Sequence, residues 1–244
     1  MEVAIVTGAS KGLGRALAEG LADRGWSLVI DARTKETLGI TENALSPRLQ
    51  PGARVVALAG DVTSASHRAA LIDAARLMGG LDLLVNNASS LGETPLAELA
   101  DYNLDALREV LEVNVIAPLA LIQQAARLLR RSSNPRLLNI TSDASVEHYE
   151  RWGGYGLSKS ALDHATATLG VENPDVRAWA VDPGDLRTDM HQQAFPGEDI
   201  SDRPLPESVV PDLVALISGG LPSGRYKASD IRVNAGVVGV GAVE

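Results

Sequence analysis

Apolar residues along this chain keep switching between two spacings. Short, nearly continuous apolar runs fall at 3–7, 27–32, 54–59, 81–86, 136–142, 176–182 and 230–234. Between them, apolar residues recur at helical spacing over 12–25, 35–46, 64–79, 104–131, 154–170 and 206–219. A strand that is apolar at almost every position must be covered on both faces, as in parallel sheets flanked by helices. Strands alternating with helices imply βαβ units. The expected fold is therefore α/β, a doubly wound parallel sheet of about seven strands with helices on both faces. A chain of 244 residues without an obvious linker fits one such domain over 1–244. Aromatics are scarce, so its core is expected to be aliphatic.

Two segments carry chemistry. Val3-Ala4-Ile5-Val6 leads into Thr7-Gly8-Ala9-Ser10-Lys11-Gly12-Leu13-Gly14, and Leu13, Leu17 and Leu21 then mark a helix. Glycines between a strand and a helix let the backbone approach a pyrophosphate, which sits at the positive helix N-terminus. Further along, Tyr155 and Lys159 are four residues apart and so share a helix face. An ammonium there favours an ionised phenol, and a phenol so poised can exchange a proton with a substrate oxygen. Ser142 ends the apolar run Leu137–Thr141, and strand ends are where ligands bind in open α/β sheets.

The spacing T-G-x-x-x-G-x-G with a downstream Ser–Tyr–Lys set resembles the classical short-chain dehydrogenase/reductase family, from about residue 3 to about residue 190. Asp61, Asn86-Asn87-Ala88, Asn114 and Pro183-Gly184 continue the resemblance in the family's order. It implies a Rossmann-type domain and hydride transfer between a nicotinamide coenzyme and a carbonyl or alcohol carbon. It implies catalytic roles for Ser142, Tyr155, Lys159 and Asn114. Coenzyme contacts are implied at Gly8, Ser10, Lys11, Gly12, Leu13 and Gly14 of the turn. Asp61 and Val62 would serve the adenine, Asn87 and Ala88 the crevice, and Tyr155 and Lys159 the nicotinamide ribose. Pro183 and Gly184 would border the coenzyme, and Thr188 would contact the nicotinamide carboxamide or the pyrophosphate. The family motif ends in glycine where this chain has Ser89, a side chain expected to narrow the pocket. Asn114 lies four residues before Pro118, which has no amide hydrogen to donate to the Asn114 carbonyl. A kinked helix with that carbonyl turned to a water is expected, and the family holds a relay water there.

The coenzyme choice turns on Ile30-Asp31-Ala32-Arg33. An acid at the second strand's end selects NAD, whereas cationic groups select NADP. Counted from the glycine motif, the NAD-selecting acid of the family it resembles would fall on Ala32, and Arg33 with Lys11 stand where that family's NADP-preferring members carry their basic residues. NADP(H) is favoured. Asp31, one residue early, leaves NAD(H) open. Asp185 and Arg187 put charges where many family members are apolar, and the sequence supplies no reason for them.

The stretch 188–206, with Phe195-Pro196-Gly197 and Arg203-Pro204-Leu205-Pro206, reads as a loop beside the site. A long loop in a compact domain is usually functional or disordered, and this one is read as a substrate lid. His148-Tyr149-Glu150-Arg151-Trp152 would border the substrate and leaves room for a polar or aromatic one. Net charge is −9, which argues against nucleic acid or anionic membrane as main partners. Without cysteine there are no disulfides or thiolate metal sites, and no metal is expected. With neither a leader nor a membrane-length apolar run, a cytoplasmic protein is the default. By resemblance, a small carbonyl or alcohol substrate and a homodimer or homotetramer are expected, with Leu119, Ile122, Leu128 and Leu129 either lining that contact or facing the sheet. The alternative from another class is a non-catalytic NADP(H)-binding sensor, which would keep the glycine turn and lose Tyr155 or Lys159.

Overall fold

The computed structural model describes residues 1–231. Seven parallel strands, β1 Val3–Val6, β2 Ser27–Ala32, β3 Val55–Ala59, β4 Leu83–Asn86, β5 Arg136–Ile140, β6 Arg177–Asp182 and β7 Gly224–Lys227, form one sheet in the order β3-β2-β1-β4-β5-β6-β7. The expected doubly wound sheet is present.

Both faces of the sheet are dry, for the reason the apolar runs suggested. Ala4, Val6, Leu28, Ile30, Leu83 and Val85 point to one side, among the buried residues of helices α1 (Gly12–Ala22), α2 (Lys35–Leu45) and α8 (Val210–Ser218). Their strand neighbours Val3, Ile5, Val29 and Leu84 point to the other, onto α3 (Ala65–Leu77) and α5 (Ala117–Leu129). That is the two-residue period of a strand read on two covered faces. Leu17 and Leu21 of α1 are fully buried, and truncating either to alanine would cost about 2–5 kcal/mol.

Three expectations are corrected. The seventh strand is Gly224–Lys227, not 230–234. Residues 230 and 231 are helical, and 232–234 lie outside the described residues. The true strand reads Gly-Arg-Tyr-Lys and is only half-buried, as a charged edge strand should be, so it lacks the apolar signature used to find the others. The 104–131 helix is divided into α4 (Leu104–Leu111), a π-helical turn (Glu112–Ile116) and α5, with Pro118 in the first turn of α5. The stretch 188–206 is not wholly irregular, because α7 occupies Asp189–Ala194. Ile122, Leu128 and Leu129 face the sheet, and Leu119 is half-buried.

The chain runs β1 to β3 towards one edge and then crosses back to place β4 on the other side of β1. The reversal opens a crevice at the carboxyl ends of β1 and β4. The long helix α6 (Gly153–Glu172) packs beside β6 and the end of β5, on the same rim.

Candidate active site

The turn after β1 is tied to the end of β4. Thr7 Oγ1 accepts from the Asn87 and Ala88 amides at 3.0 Å each, and Asn87 Nδ2 donates to the carbonyls of Thr7 (2.9 Å) and Gly8 (3.2 Å). A Cβ at Gly14 would lie 2.4 Å from both the Gly8 carbonyl oxygen and Asn87 Nδ2, so this close approach admits only glycine. α1 starts at Gly12 without a side-chain cap and without an acid in its first turn. Uncapped amides at a positive helix end suit a pyrophosphate, so the residues present fit a dinucleotide. Leu13 is buried in the core rather than at the surface of the turn, and the Ser10 carbonyl accepts from Thr41 Oγ1 at 3.2 Å. Lys11 Nζ lies 2.7 Å from Asp189 Oδ2 across the mouth of the crevice, and Gly12 faces the Thr188 methyl.

At the end of β2, Asp31 is fully buried and turned inward. Its Oδ1 accepts from the Gly8 amide at 2.8 Å and its Oδ2 meets His67 Nε2 at 3.0 Å. Arg33, two residues on, is exposed. Asp61 Oδ1 accepts from both the Thr63 amide and Thr63 Oγ1. The amide bond, more than any other influence, holds its carboxyl below the usual carboxylate range, with Arg33 and His67 adding to the effect. The Val62 carbonyl accepts from Arg68 Nη1.

The Ser–Tyr–Lys set converges on the carboxyl end of β5. Ser142 caps a short turn, Asp143–Ser145, and its Oγ donates to Asp143 Oδ1 at 3.0 Å. Tyr155 and Lys159 stand one turn apart on α6, 8% and 2% exposed, with Lys159 Nζ 5.4 Å from the centre of the Tyr155 ring. Nζ donates to the Ile140 carbonyl at 2.8 Å. Burial pushes the Tyr155 phenol well above its ordinary value. Hydrogen bonds with the Ser89 and Ser142 hydroxyls pull it down, and the Asp143 and Asp182 charges push it up. Burial also drives Lys159 down to about 8, against an upward push from Asp163. The net direction for the tyrosine is thus upward, opposite to the expectation from lysine alone, because burial outweighs the polar contacts.

Asn114 sits in the π-helical turn, 1% exposed. There the Ala117 amide reaches back five residues to the Glu112 carbonyl, the adjustment that Pro118 requires. Asn114 Oδ1 accepts from the Ser90 amide (2.8 Å) and Ser89 Oγ (3.2 Å), while Nδ2 donates to the Ser90 carbonyl (2.8 Å) and Ser158 Oγ (2.9 Å). It thereby joins the strand β4 loop to the Tyr155 turn of α6. Ser89, noted in the sequence only for departing from the motif, donates to Asn114 and pulls the Tyr155 phenol down.

On the outer side, Leu91, Leu96, Ala144 and Tyr155 cluster with Trp152, Met190 and Ala194. Trp152 meets Tyr155 edge-on at 5.7 Å and Phe195 at 6.0 Å. Gly184 takes a left-handed conformation after Pro183 and donates its amide to Asp182 Oδ1 at 2.9 Å. Thr188 caps α7 by accepting from the His191 amide. The charges at 185 and 187 now have a setting. Asp185 lies 3.9 Å from Arg203 and 4.0 Å from His191, and the Arg187 amide donates to the Pro204 carbonyl, so both close the 188–206 stretch on itself.

A model of the short chain dehydrogenase family matches residues 2–199. The chain belongs to the short-chain dehydrogenases. It is an NAD(P)-dependent oxidoreductase, and relatives agree. A sepiapterin reductase of Xenopus laevis is 34% identical over 199 residues, which are 78% of this chain and 75% of the relative. A diacetyl reductase [(S)-acetoin forming] of Staphylococcus epidermidis is 32% identical over 78% of this chain and 73% of its own. Among solved structures, an alcohol dehydrogenase of Thermococcus sibiricus complexed with 5-hydroxy-NADP superposes on this dehydrogenase with a TM-score of 0.82, at 27% identity, covering 93% of this chain and 95% of the other. A short chain dehydrogenase of Escherichia coli complexed with NADPH gives 0.84 at 25% identity, covering 93% and 96%.

Proposed function

We propose that this dehydrogenase is an NADP(H)-dependent carbonyl reductase, reducing a ketone or aldehyde or oxidising the corresponding alcohol. The observation that carries this is the buried Tyr155 phenol, one turn from Lys159 on α6, at the carboxyl end of β5 where Ser142 lies. The bound coenzyme supplies or accepts the hydride. Tyr155 gives a proton to the carbonyl oxygen, or takes one from the alcohol. Ser142 turns its hydroxyl from Asp143 to the substrate oxygen and orients it. Lys159, cationic at neutral pH, holds the nicotinamide ribose and favours the phenolate as the proton leaves. The Asn114 carbonyl, spared a helical partner by Pro118, anchors a water that links Lys159 to solvent.

Three observations support NADP(H) over NAD(H). Asp31 is occupied with Gly8 and His67 instead of reaching the ribose, Arg33 is an exposed cation at that end while Lys11 is paired with Asp189, and the two structural relatives above carry NADPH or 5-hydroxy-NADP. Gly8, Ser10, Gly12, Leu13, Gly14, Asp61, Val62, Asn87, Ala88, Pro183, Gly184 and Thr188 complete the coenzyme site. The segment 188–206 serves as a substrate lid, a role supported by the packing of Met190, Ala194 and Phe195 about Trp152 and Tyr155. The two curated relatives described above are named reductases, in keeping with a small carbonyl substrate. A homodimer or homotetramer and a cytoplasmic location belong to the same proposal; no described helix is long and apolar enough to cross a membrane.

NADPH oxidation against a panel of ketones, aldehydes and quinones, with Tyr155→Phe as control, tests this. Turnover that disappears in the variant, with NADPH still bound, is the expected result. Turnover that survives it refutes the tyrosine's role, and NADPH binding without any turnover supports the sensor instead.

A further inference from the structure

Arg225 lies on the edge strand β7, far in sequence from every residue assigned to the site, yet its side chain is only 25% exposed and points back to it. Nε donates to Asp163 Oδ2 at 2.9 Å. Nη2 donates to the Ser142 carbonyl at 3.0 Å and to Ser145 Oγ at 3.3 Å, and stands 3.6 Å from Asp182 Oδ2. These partners belong to the three elements that build the rim. Ser142 lies two residues beyond β5, Asp163 is one turn beyond Lys159 on α6, and Asp182 closes β6 before Pro183-Gly184. Ser145 Oγ lies 2.7 Å from the Ser142 carbonyl and 2.5 Å from Asp163 Oδ2, so one guanidinium and one hydroxyl pin the Ser142 main chain to α6.

The same contact balances charge. Asp163 and Asp182 side chains are 14% and 5% exposed, and buried carboxylates need a cation or donors. The charged groups acting on Tyr155 and Lys159 are Asp143 after β5, Asp163 from α6 and Asp182 from β6, and Arg225 and Lys227 of β7 stand behind Asp182. Asp182 and Asp143 act on the tyrosine and Asp163 on the lysine, while Arg225 and Lys227 act on Asp182.

We propose that Arg225 is a positioning residue for the reaction: it fixes the Ser142 main chain against α6 and offsets the Asp163 and Asp182 charges that would otherwise act on the Tyr155–Lys159 pair. This rests on the proton-transfer role proposed above for Tyr155. Its planar fork, serving Asp163 on one edge and the Ser142 carbonyl on the other, is a geometry lysine cannot copy.

The chain has four lysines, Lys11, Lys35, Lys159 and Lys227, so the Lys159 titration can be followed by NMR on lysine-labelled protein and assigned with Lys159→Met. In Arg225→Gln, which keeps donors and loses the charge, the Lys159 midpoint is expected to rise by roughly one unit, as an uncompensated carboxylate requires. Turnover should fall about tenfold with NADPH affinity within about twofold, because the coenzyme crevice is untouched. Arg225→Lys should restore the midpoint but not full turnover. A Lys159 midpoint unmoved in Arg225→Gln would overturn the inference, whatever its turnover, since a purely structural role predicts that. Should Arg225→Gln fail to bind NADPH, Asp163→Asn decides: its Lys159 midpoint falls if the carboxylate acts there, and a fixed midpoint overturns the proposal. Survival of turnover in Tyr155→Phe would instead remove the catalytic role on which the positioning rests, a separate failure with its own signature.

Discussion

Asp31→Ala separates two roles that the sequence left open for that residue. If Asp31 selected NAD, it would face the ribose; in the structure it braces the glycine turn. The substitution removes two hydrogen bonds, at 2.8 Å from the Gly8 amide and 3.0 Å to His67, from a side chain with no solvent exposure. Each bond to a charged group contributes about 1.5–3 kcal/mol, and the Gly8 amide is left without its acceptor. Together the loss is about 3–5 kcal/mol, after allowing for some relaxation at the His67 rim. For a domain of this size that lowers Tm by roughly 6–20 °C. Gly8 belongs to the turn proposed to hold the pyrophosphate, a group common to both coenzymes, so NADPH and NADH should lose affinity by the same factor. Calorimetric melting with fluorescence titrations of the two coenzymes measures both quantities. An unchanged Tm with a selective loss of NADH binding would refute the bracing role and make Asp31 a ribose-reading acid after all.

Arg33→Ala should weaken NADPH about ten- to a hundredfold, the contribution of one charge-assisted phosphate contact, and leave NADH within about twofold; equal losses in parallel titrations would dismiss the NADP assignment. The buried lysine makes stability depend on pH. Lys159 is lowered from 10.5 to about 8, so between those values the unfolded chain binds more protons and stability rises with pH. Tyr155, raised from 10.0, works the other way once unfolded tyrosine begins to ionise, which confines the rise to about pH 8–10. Urea unfolding across that window should show wild type gaining about 2–3 kcal/mol relative to Lys159→Met, and parallel curves would mean that Lys159 is not held down by burial.

Much of the candidate site is legible in one dimension because it rests on local spacing. Tyr155 and Lys159 meet because four residues make one helical turn. The missing amide of Pro118 forces a change of register around Asn114 whatever packs nearby, and the π-helical turn there is what that absence produces. Ser89 could be noticed as a departure from a motif, but its bond to Asn114 and its effect on Tyr155 depend on how the β4 loop lies against α6. The seventh strand escaped because an exposed edge carries charges instead of the apolar run that marks a buried strand.

The sequence alone determined the alternation that makes a parallel sheet, the glycine turn that only close backbone approach explains, and the helical pairing of tyrosine with lysine. These follow from backbone periodicity and from residues that lack a side chain or an amide. Tertiary structure decided which way Asp31 points, what Arg225 holds, and that burial and not the neighbouring lysine dominates the tyrosine's acidity. Those depend on partners 36 residues away for Asp31 and 83 away for Arg225, and on how much water the fold excludes. Charge and solvation act through space, so only the folded chain brings such groups close enough for them to matter.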